Sequence, residues 1–218
     1  MIKGQCDPRF KKIKDIFSYS LESGFETGAA LAIEYKGEVI VNLWGGHRDS
    51  NKSLEWEENT LINVFSVTKG ITAICVSKLI DEGKLDHNQK VSYYWPEYGC
   101  NGKEDTIVSD FLCHRAGMFG FQNGMPKGSW QNWQNFVSHL EAQTPYNAPG
   151  FSQGYHALTY GWLVGELFRR VDGRTVGEYF KEEIALRHDI DFHIGLQKED
   201  FSRCADMLMI DFIQNIEQ

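Results

Sequence analysis

The chain has 218 residues and a formal charge of −8, because 30 acidic side chains outweigh 22 Lys and Arg. This balance argues against a nucleic-acid-binding protein, whose surface would carry a basic stripe. Hydrophobic residues make up 42% of the chain and aromatic residues 13%, which is too many for a disordered segment and enough for a real core. We therefore expect one domain over residues 1–218.

Membrane insertion and disulfide formation are not expected. No apolar run approaches the roughly 18 residues that span a bilayer. Residues 1–14 are charged and lack the apolar stretch of a signal peptide, which predicts a cytoplasmic protein. The five cysteines are scattered and form no C-x-x-C pair, so they fit neither a disulfide framework nor a zinc site. We expect five reduced thiols.

The first predicted elements are a helix and a hairpin. Asp7 and Pro8 are typical of a helix start, and the helical spacing of apolar residues continues to about residue 23. Residues 28–43 form two short runs rich in Ala, Ile and Val, divided by the turn candidate Lys36-Gly37. This pattern predicts a β-hairpin.

The remaining pattern is mainly helical. It predicts a largely buried helix at 64–80 ended by Gly83, a short helix at 105–113, a loop at 118–128, helices at 129–143, 156–173 and 174–186, a strand at 191–196 and a last helix at 200–216.

The sharpest local feature is the only S-x-x-K motif of the chain, formed by Ser66 and Lys69 at the start of the buried helix. Side chains three residues apart on a helix share a face. The N-terminal end of a helix also favours a developing negative charge, because its free N–H groups and its dipole point there. The pair is therefore a candidate nucleophile with a lysine as base or supporting cation. The alternative is that Ser66 only caps the helix.

A second feature is Tyr155, which follows the Pro- and Gly-rich residues 149–154 and precedes a predicted helix. This arrangement can hold a phenol rigidly over a pocket. If Lys69 lies close, its charge favours phenolate and lowers the pKa of Tyr155 toward the range of a general base. The alternative is a tyrosine buried in the core.

Seven segments, in chain order, resemble the serine β-lactamase and penicillin-binding-protein family, in particular its class C-like and esterase branch and the β-lactamase domain-containing proteins of animals. These segments are 42–46, 65–70, 83–86, 94–97, 114–117, 155–165 and 191–196. The resemblance implies an α+β fold of the β-lactamase/transpeptidase type. The N-terminal hairpin would then belong to a central antiparallel sheet, with a helical region after it.

By this resemblance Ser66 is the acylated nucleophile, Lys69 its activating partner, and Tyr155 the base that passes a proton to the leaving group. The N–H of Ser66 supplies one half of an oxyanion hole. The partner is a small-molecule acyl substrate, and the mechanism implies no metal and no organic cofactor. His114 fits a scaffold role better than a catalytic one, and the same alternatives stay open for His156.

Two departures from the family pattern bear on activity. Ala157 stands where the lactamases and peptidases have the asparagine of Tyr-x-Asn, which favours esters over β-lactams and peptides. The third family motif, Lys-Thr-Gly or a variant on a later strand, has no counterpart after Tyr155. The chain therefore resembles the N-terminal part of such an enzyme, truncated at its C-terminus and without the C-terminal strands.

Two hypotheses follow. The first is a serine hydrolase that acts on ester or related acyl substrates through an acyl-enzyme, with an incomplete site. The second is a non-catalytic interaction protein that self-associates through an open sheet edge, because an isolated hairpin is marginal. A metal hydrolase is disfavoured, since the seven His lack ligand spacing. Phe119 and Phe121 suggest an apolar acyl pocket, with core packing as the alternative.

Overall fold

The computed structural model describes residues 1–124 and 132–208. The chain divides into two compact units. One comprises Met1–Asn63 together with the segment that begins at Leu196, and the other is Val64–Gly195. A single domain over the whole chain stays a prediction. None of the helices in the described ranges has the length and apolar character needed to cross a membrane, and all five cysteines carry free thiols.

The first unit contains a three-stranded antiparallel sheet in the order β1-β3-β2. Strand β1 is Ile2–Cys6, β2 is Gly28–Tyr35 and β3 is Glu38–Gly46. The predicted hairpin is confirmed. Its turn residues Lys36 and Gly37 have φ values of 54° and 81°, the left-handed backbone that a two-residue hairpin turn requires.

Strand β1 was not among the predicted elements. It pairs with β3, with Ile2 opposite Gly45 and Cys6 opposite Val41, so the hairpin is not an isolated pair. In the described part of the sheet, β1 and β2 are the edge strands. Self-association through an open edge stays a prediction, and it now concerns these two strands.

Helix α1, Lys11–Glu22, packs against this sheet. A short 3-10 turn, Pro8–Phe10, leads into it, and the carboxylate of Asp7 accepts the backbone N–H of Arg9 at 2.9 Å. The predicted helix start is therefore confirmed. Apolar residues of α1 and the sheet form a small core centred on Phe17, Val41 and Leu43.

The second unit is helical. Its helices are α2 (Val67–Asp81), α3 (Val91–Tyr94), α4 (Val108–Leu112), α5 (Trp133–Ala142), α6 (Thr159–Asp172), α7 (Val176–Phe180) and α8 (Leu186–His188), with a π-helical segment, Lys181–Ala185, between the last two. Helices α2, α4, α5, α6 and α7 correspond to predicted helices, whereas no helix was predicted at α3, and α8 extends beyond the helix predicted at 174–186. Residues 118–124 form neither helix nor strand, as expected of the predicted loop. The parts of the predicted loop and of the helix at 129–143 that fall on residues 125–131 lie outside the described residues.

Helices α2 and α6 carry much of the core of this unit. Cys75, Val76 and Leu79 of α2 are buried, but Ile74 is 55% exposed, so α2 is buried on one face only and less than predicted. The predicted ends are confirmed, because Gly83 and Gly173 follow α2 and α6 with φ values of 69° and 93°. Left-handed glycine is the commonest residue beyond a helix C-terminus.

The strand predicted at 191–196 is wrong. The backbone there bends at Ile194 and Gly195 and joins none of the described strands. Phe192 and Ile194 pack against the helical core, and this packing explains the alternating apolar pattern. Glycine at position 177 permits the close approach, because a Cβ there would lie 2.1 Å from the carbonyl oxygen of Ile194.

The helix predicted at 200–216 is also wrong in its described part. A 3-10 helix spans Lys198–Arg203, and Cys204 then adopts extended backbone. Leu61 forms a parallel bridge with Cys204, so backbone pairing competes with helix continuation at this point. Residues 209–216 lie outside the described residues.

We expect Gly177→Ala to lower the free energy of unfolding by roughly 1–3 kcal/mol, because the new methyl group must displace the Ile194 carbonyl. Gly70→Ala is the matched control. Gly70 lies on α2 with open space around its Cβ position, and alanine should stabilise the helix by about 1 kcal/mol. Urea denaturation checks both variants, and equal shifts in the same direction would contradict the assignment.

Candidate active site

The candidate nucleophile lies at the start of α2. Phe65, directly before it, has a φ of 45°, which is uncommon for a bulky residue and typical of strained functional sites. The side chain of Ser66 makes no capping hydrogen bond. Its Oγ instead accepts a hydrogen bond from Lys69 Nζ at 3.0 Å. The role of a simple helix cap is therefore excluded for the Ser66 side chain.

Lys69 joins two parts of the chain. Its Nζ donates to Ser66 Oγ and also, at 2.9 Å, to the carbonyl oxygen of Ala157. The same nitrogen lies 5.1 Å from the ring centroid of Tyr155 and 5.7 Å from that of Tyr160, within cation–π range. Two acceptors and two aromatic rings thus fix the ammonium group beside the serine.

Tyr155 lies beside Ser66 and Lys69, as the resemblance to the family implies. Its pKa is lowered, first because the Ser66 hydroxyl hydrogen-bonds to the phenolate and then because Lys69 donates to it and carries positive charge; partial desolvation opposes both effects. The direction of the shift agrees with the prediction, but its first cause is Ser66 rather than Lys69. The side chain is 55% exposed, so the alternative of a buried core tyrosine is wrong.

The backbone N–H of Ser66, the oxyanion donor that the family resemblance implies, lies at the N-terminal end of α2. Across residues 1–124 and 132–208 it donates to no protein acceptor. The next amides, those of Val67 and Thr68, already bond to carbonyl oxygens one turn back. An unused N–H at the positive end of a helix is suited to stabilise a developing oxyanion.

His156 has a structural role. It is fully buried, its Nε2 accepts the N–H of Met118 at 3.1 Å, and its Nδ1 donates to the carbonyl oxygen of Gly154 at 2.6 Å. Burial lowers its pKa to about 4, so the ring is neutral near pH 7. With both ring nitrogens engaged, His156 has no free lone pair for a reacting proton. Of the scaffold and catalytic roles that the sequence left open for His156, the structure supports the scaffold role.

A cavity of about 670 Å³ adjoins Lys69. Its wall is mainly apolar, with Trp133, Leu158, Tyr160, Trp162, Val176 and Ile194 among the lining side chains. Arg169 contributes a positive charge to the wall and is itself paired with the buried Glu166 at 2.9 Å. The cavity therefore offers an apolar space beside the candidate catalytic lysine.

Phe119 and Phe121 do not line this cavity. Phe119 stacks on Tyr146 with ring centroids 4.5 Å apart, and Phe121 contacts Phe136 and Trp162 edge-on. The structure supports core packing for Phe121, which packs against the helical core, whereas Phe119 is half-buried and stacks on Tyr146 outside that core.

We expect Ser66→Ala and Lys69→Met each to raise the pKa of Tyr155, because the hydrogen bond from Ser66 and the hydrogen bond and charge of Lys69 all lower it. The measurement is a ¹³C NMR titration of the tyrosine Cζ atoms, with Tyr155→Phe identifying the resonance. Ser77→Ala, on the exposed face of the same helix, should leave the titration unchanged. A pKa of Tyr155 that stays lowered in both folded variants would contradict the assignment of Ser66 and Lys69 as its cause.

Comparison with known proteins gives a consistent result. Residues 13–211 match the protein family described as Beta-lactamase. The protein described as Esterase/beta-lactamase LipL from Mycobacterium tuberculosis is 35% identical over an aligned length of 213 residues, and the match covers 94% of this chain and 48% of LipL. Protein flp from Staphylococcus aureus is 26% identical over an aligned length of 174 residues, and the match covers 78% of this chain and 35% of that protein. The chain thus spans about half or less of the length of these relatives.

This chain likewise covers only part of the solved structures that it resembles. A penicillin-binding protein homologue from Caulobacter crescentus is 37% identical with a TM-score of 0.93, over 97% of this chain and 57% of that one. A family VIII carboxylesterase is 38% identical with a TM-score of 0.89, over 95% and 57%. A class C beta lactamase at 20% identity and a TM-score of 0.76, over 89% and 53%, supports the fold alone. The predicted α+β fold of the β-lactamase/transpeptidase type is confirmed.

Proposed function

Because this chain belongs to the beta-lactamase family, we propose that it is a serine hydrolase that cleaves ester or related acyl substrates through an acyl-enzyme at Ser66. The observation that carries the proposal is the 3.0 Å contact between Lys69 Nζ and Ser66 Oγ, beside a phenol whose pKa is lowered. A serine becomes a useful nucleophile when an adjacent group accepts its proton. Tyr155 is the group suited to do so.

In the proposed acylation step, Ser66 Oγ forms a bond to the substrate carbonyl carbon while its proton passes to the phenolate of Tyr155. The ammonium of Lys69 stabilises that phenolate and holds Oγ in place. The carbonyl oxygen becomes an oxyanion beside the N–H of Ser66. When the ester C–O bond breaks, Tyr155 returns the proton to the departing alkoxide, and water later attacks the acyl-enzyme by the reverse route.

The preference for esters is supported by Ala157. Its carbonyl oxygen is bonded to Lys69, and its methyl side chain has neither donor nor acceptor for a substrate amide. The mainly apolar cavity beside it favours an apolar acyl or alcohol group over a charged peptide. The descriptions of LipL as an esterase and of the structural relative as a carboxylesterase are consistent with this preference.

We expect a fluorophosphonate probe to add once to the wild-type chain and not to Ser66→Ala, because only an activated serine attacks phosphorus at a useful rate. Ser77→Ala is the matched control, since it removes an exposed hydroxyl from the same helix and should keep the adduct. Intact mass spectrometry measures the mass added to each of the three proteins. Folded wild-type protein without an adduct would contradict the proposal.

We also expect the labelling rate to rise with pH and to level off below pH 10, the ordinary pKa of tyrosine, because the pKa of Tyr155 is lowered. The phenolate is the base, so its fraction and the rate increase together as the pH passes through that pKa. Tyr155→Phe should lower the rate by about 100-fold or more and abolish the rise. A stopped-time labelling series from pH 6 to 10 provides the measurement. If the labelling rate of Tyr155→Phe still rose with pH, a group other than Tyr155 would be the base.

A further inference from the structure

His114 lies against the segment that carries Tyr155, and no step of the proposed reaction uses it. It follows α4 with a φ of 60°, a left-handed backbone that non-glycine residues seldom adopt. Its ring centroid lies 4.9 Å from that of Tyr155 and 5.2 Å from that of Tyr160. One face of the active-site tyrosine is thus supported by this imidazole.

His114 accepts two hydrogen bonds, from the backbone amides of the residues on either side of Tyr155. The carbonyl oxygen of His114 accepts the N–H of Gly154 at 3.0 Å. Its Nδ1 accepts the N–H of His156 at 3.1 Å. The residues immediately before and after Tyr155 are therefore both tied to one residue, which restricts the backbone from which the phenol projects.

Neighbouring residues extend this attachment. The carbonyl oxygen of Cys113 accepts the side-chain amide of Gln153 at 3.1 Å, and the carbonyl oxygen of Arg115 accepts the N–H of Gly150 at 2.9 Å. These bonds fix the loop as a whole. Among residues 113–115, only His114 bonds to both positions that flank Tyr155, and the side chain of His156 is held further by the N–H of Met118 and the carbonyl oxygen of Gly154.

We propose that His114 is a positioning residue that holds the phenol of Tyr155 against Ser66 and Lys69. The effect of His114 on the reaction rate rests on the proposed function, whereas its effect on the position and pKa of the Tyr155 phenol does not. A displacement of about 1 Å in a reacting group can cost about 100-fold in rate, so a residue that only fixes the base has a large kinetic effect.

The hydrogen bond to His156 requires an unprotonated Nδ1, since this atom is the acceptor. The charged or titratable groups around the ring are Lys69 from α2, Tyr160 from α6, and Tyr155 and His156 from the loop. Burial lowers the pKa of His114, and the charge of Lys69 lowers it further. The surroundings therefore maintain the neutral acceptor.

The test compares His114→Gly with His114→Asn. Both residues tolerate the left-handed backbone, but only asparagine offers a side-chain acceptor near the position of Nδ1. His114→Ala is a second variant without an acceptor, and His139→Asn, an exposed histidine on α5, is the control. The folded fraction of each protein is established first by circular dichroism and thermal melting.

The first readout is the pKa of Tyr155 from the ¹³C NMR titration, which needs no catalysis. We expect the value to return toward 10 in the glycine and alanine variants and to stay lowered in the asparagine variant. The second readout is the fluorophosphonate labelling rate, which should fall about 10- to 100-fold in the glycine variant and only a few-fold in the asparagine variant.

The outcomes separate the two ideas. Folded glycine or alanine variants that keep the lowered pKa of Tyr155 overturn the positioning role. A wild-type chain that is never labelled, while the pKa of Tyr155 still depends on His114, leaves positioning intact and overturns the proposed hydrolase. If the asparagine variant loses the lowered pKa as fully as the glycine variant, the acceptor is not what matters, and the proposal fails in its stated form.

Discussion

The pair of hydrogen bonds made by Lys69 is the interaction on which the candidate site depends. One bond reaches Ser66 Oγ on the lysine's own helix, and the other reaches the Ala157 carbonyl at the entry to α6. An ammonium group is costly to remove from water unless its donors are satisfied, so these acceptors determine where the side chain lies. The serine, the lysine and the tyrosine loop are consequently held as one arrangement.

Helix α6 owes much of its own position to a buried carboxylate. Glu166 is fully buried and accepts hydrogen bonds from Trp133 Nε1, Arg169 and Arg170 at 2.8 to 3.0 Å. Burial alone would raise the pKa of Glu166, but the hydrogen bonds from Trp133, Arg170 and Arg169 outweigh burial and lower it. The ionised carboxylate thereby connects α5 to α6, and α6 in turn brings Tyr160 to the carbonyl of Lys69.

Local patterns in the sequence predicted most helices of the second unit, and the S-x-x-K motif marked Ser66 and Lys69, whereas the role of Tyr155 came from the resemblance to the family. The apolar periodicity and the terminal glycines of α2 and α6 are local signals, and S-x-x-K is a local motif. Pairings over long sequence distances were not accessible in this way. Strand β1 has only five residues with a glycine at its centre, so its alternation is a weak signal and the strand is defined mainly by its partner β3. Residues 192 and 194 alternate like a strand but pack on helices. His114 bonds to residues about 40 positions later in the chain. In the sequence, the one sign of this attachment was that His114 lies in a segment that resembles the family.

The double anchoring of Lys69 has a consequence for a complete turnover. Acylation would turn Ser66 Oγ into an ester oxygen, which is a much weaker acceptor than a hydroxyl, and the lysine would lose part of its hold on the serine at that stage. The bond to the Ala157 carbonyl involves no atom that changes during the reaction. It would keep the ammonium group beside Tyr155 throughout, so that the geometry needed to admit and activate water is the same geometry that received the substrate.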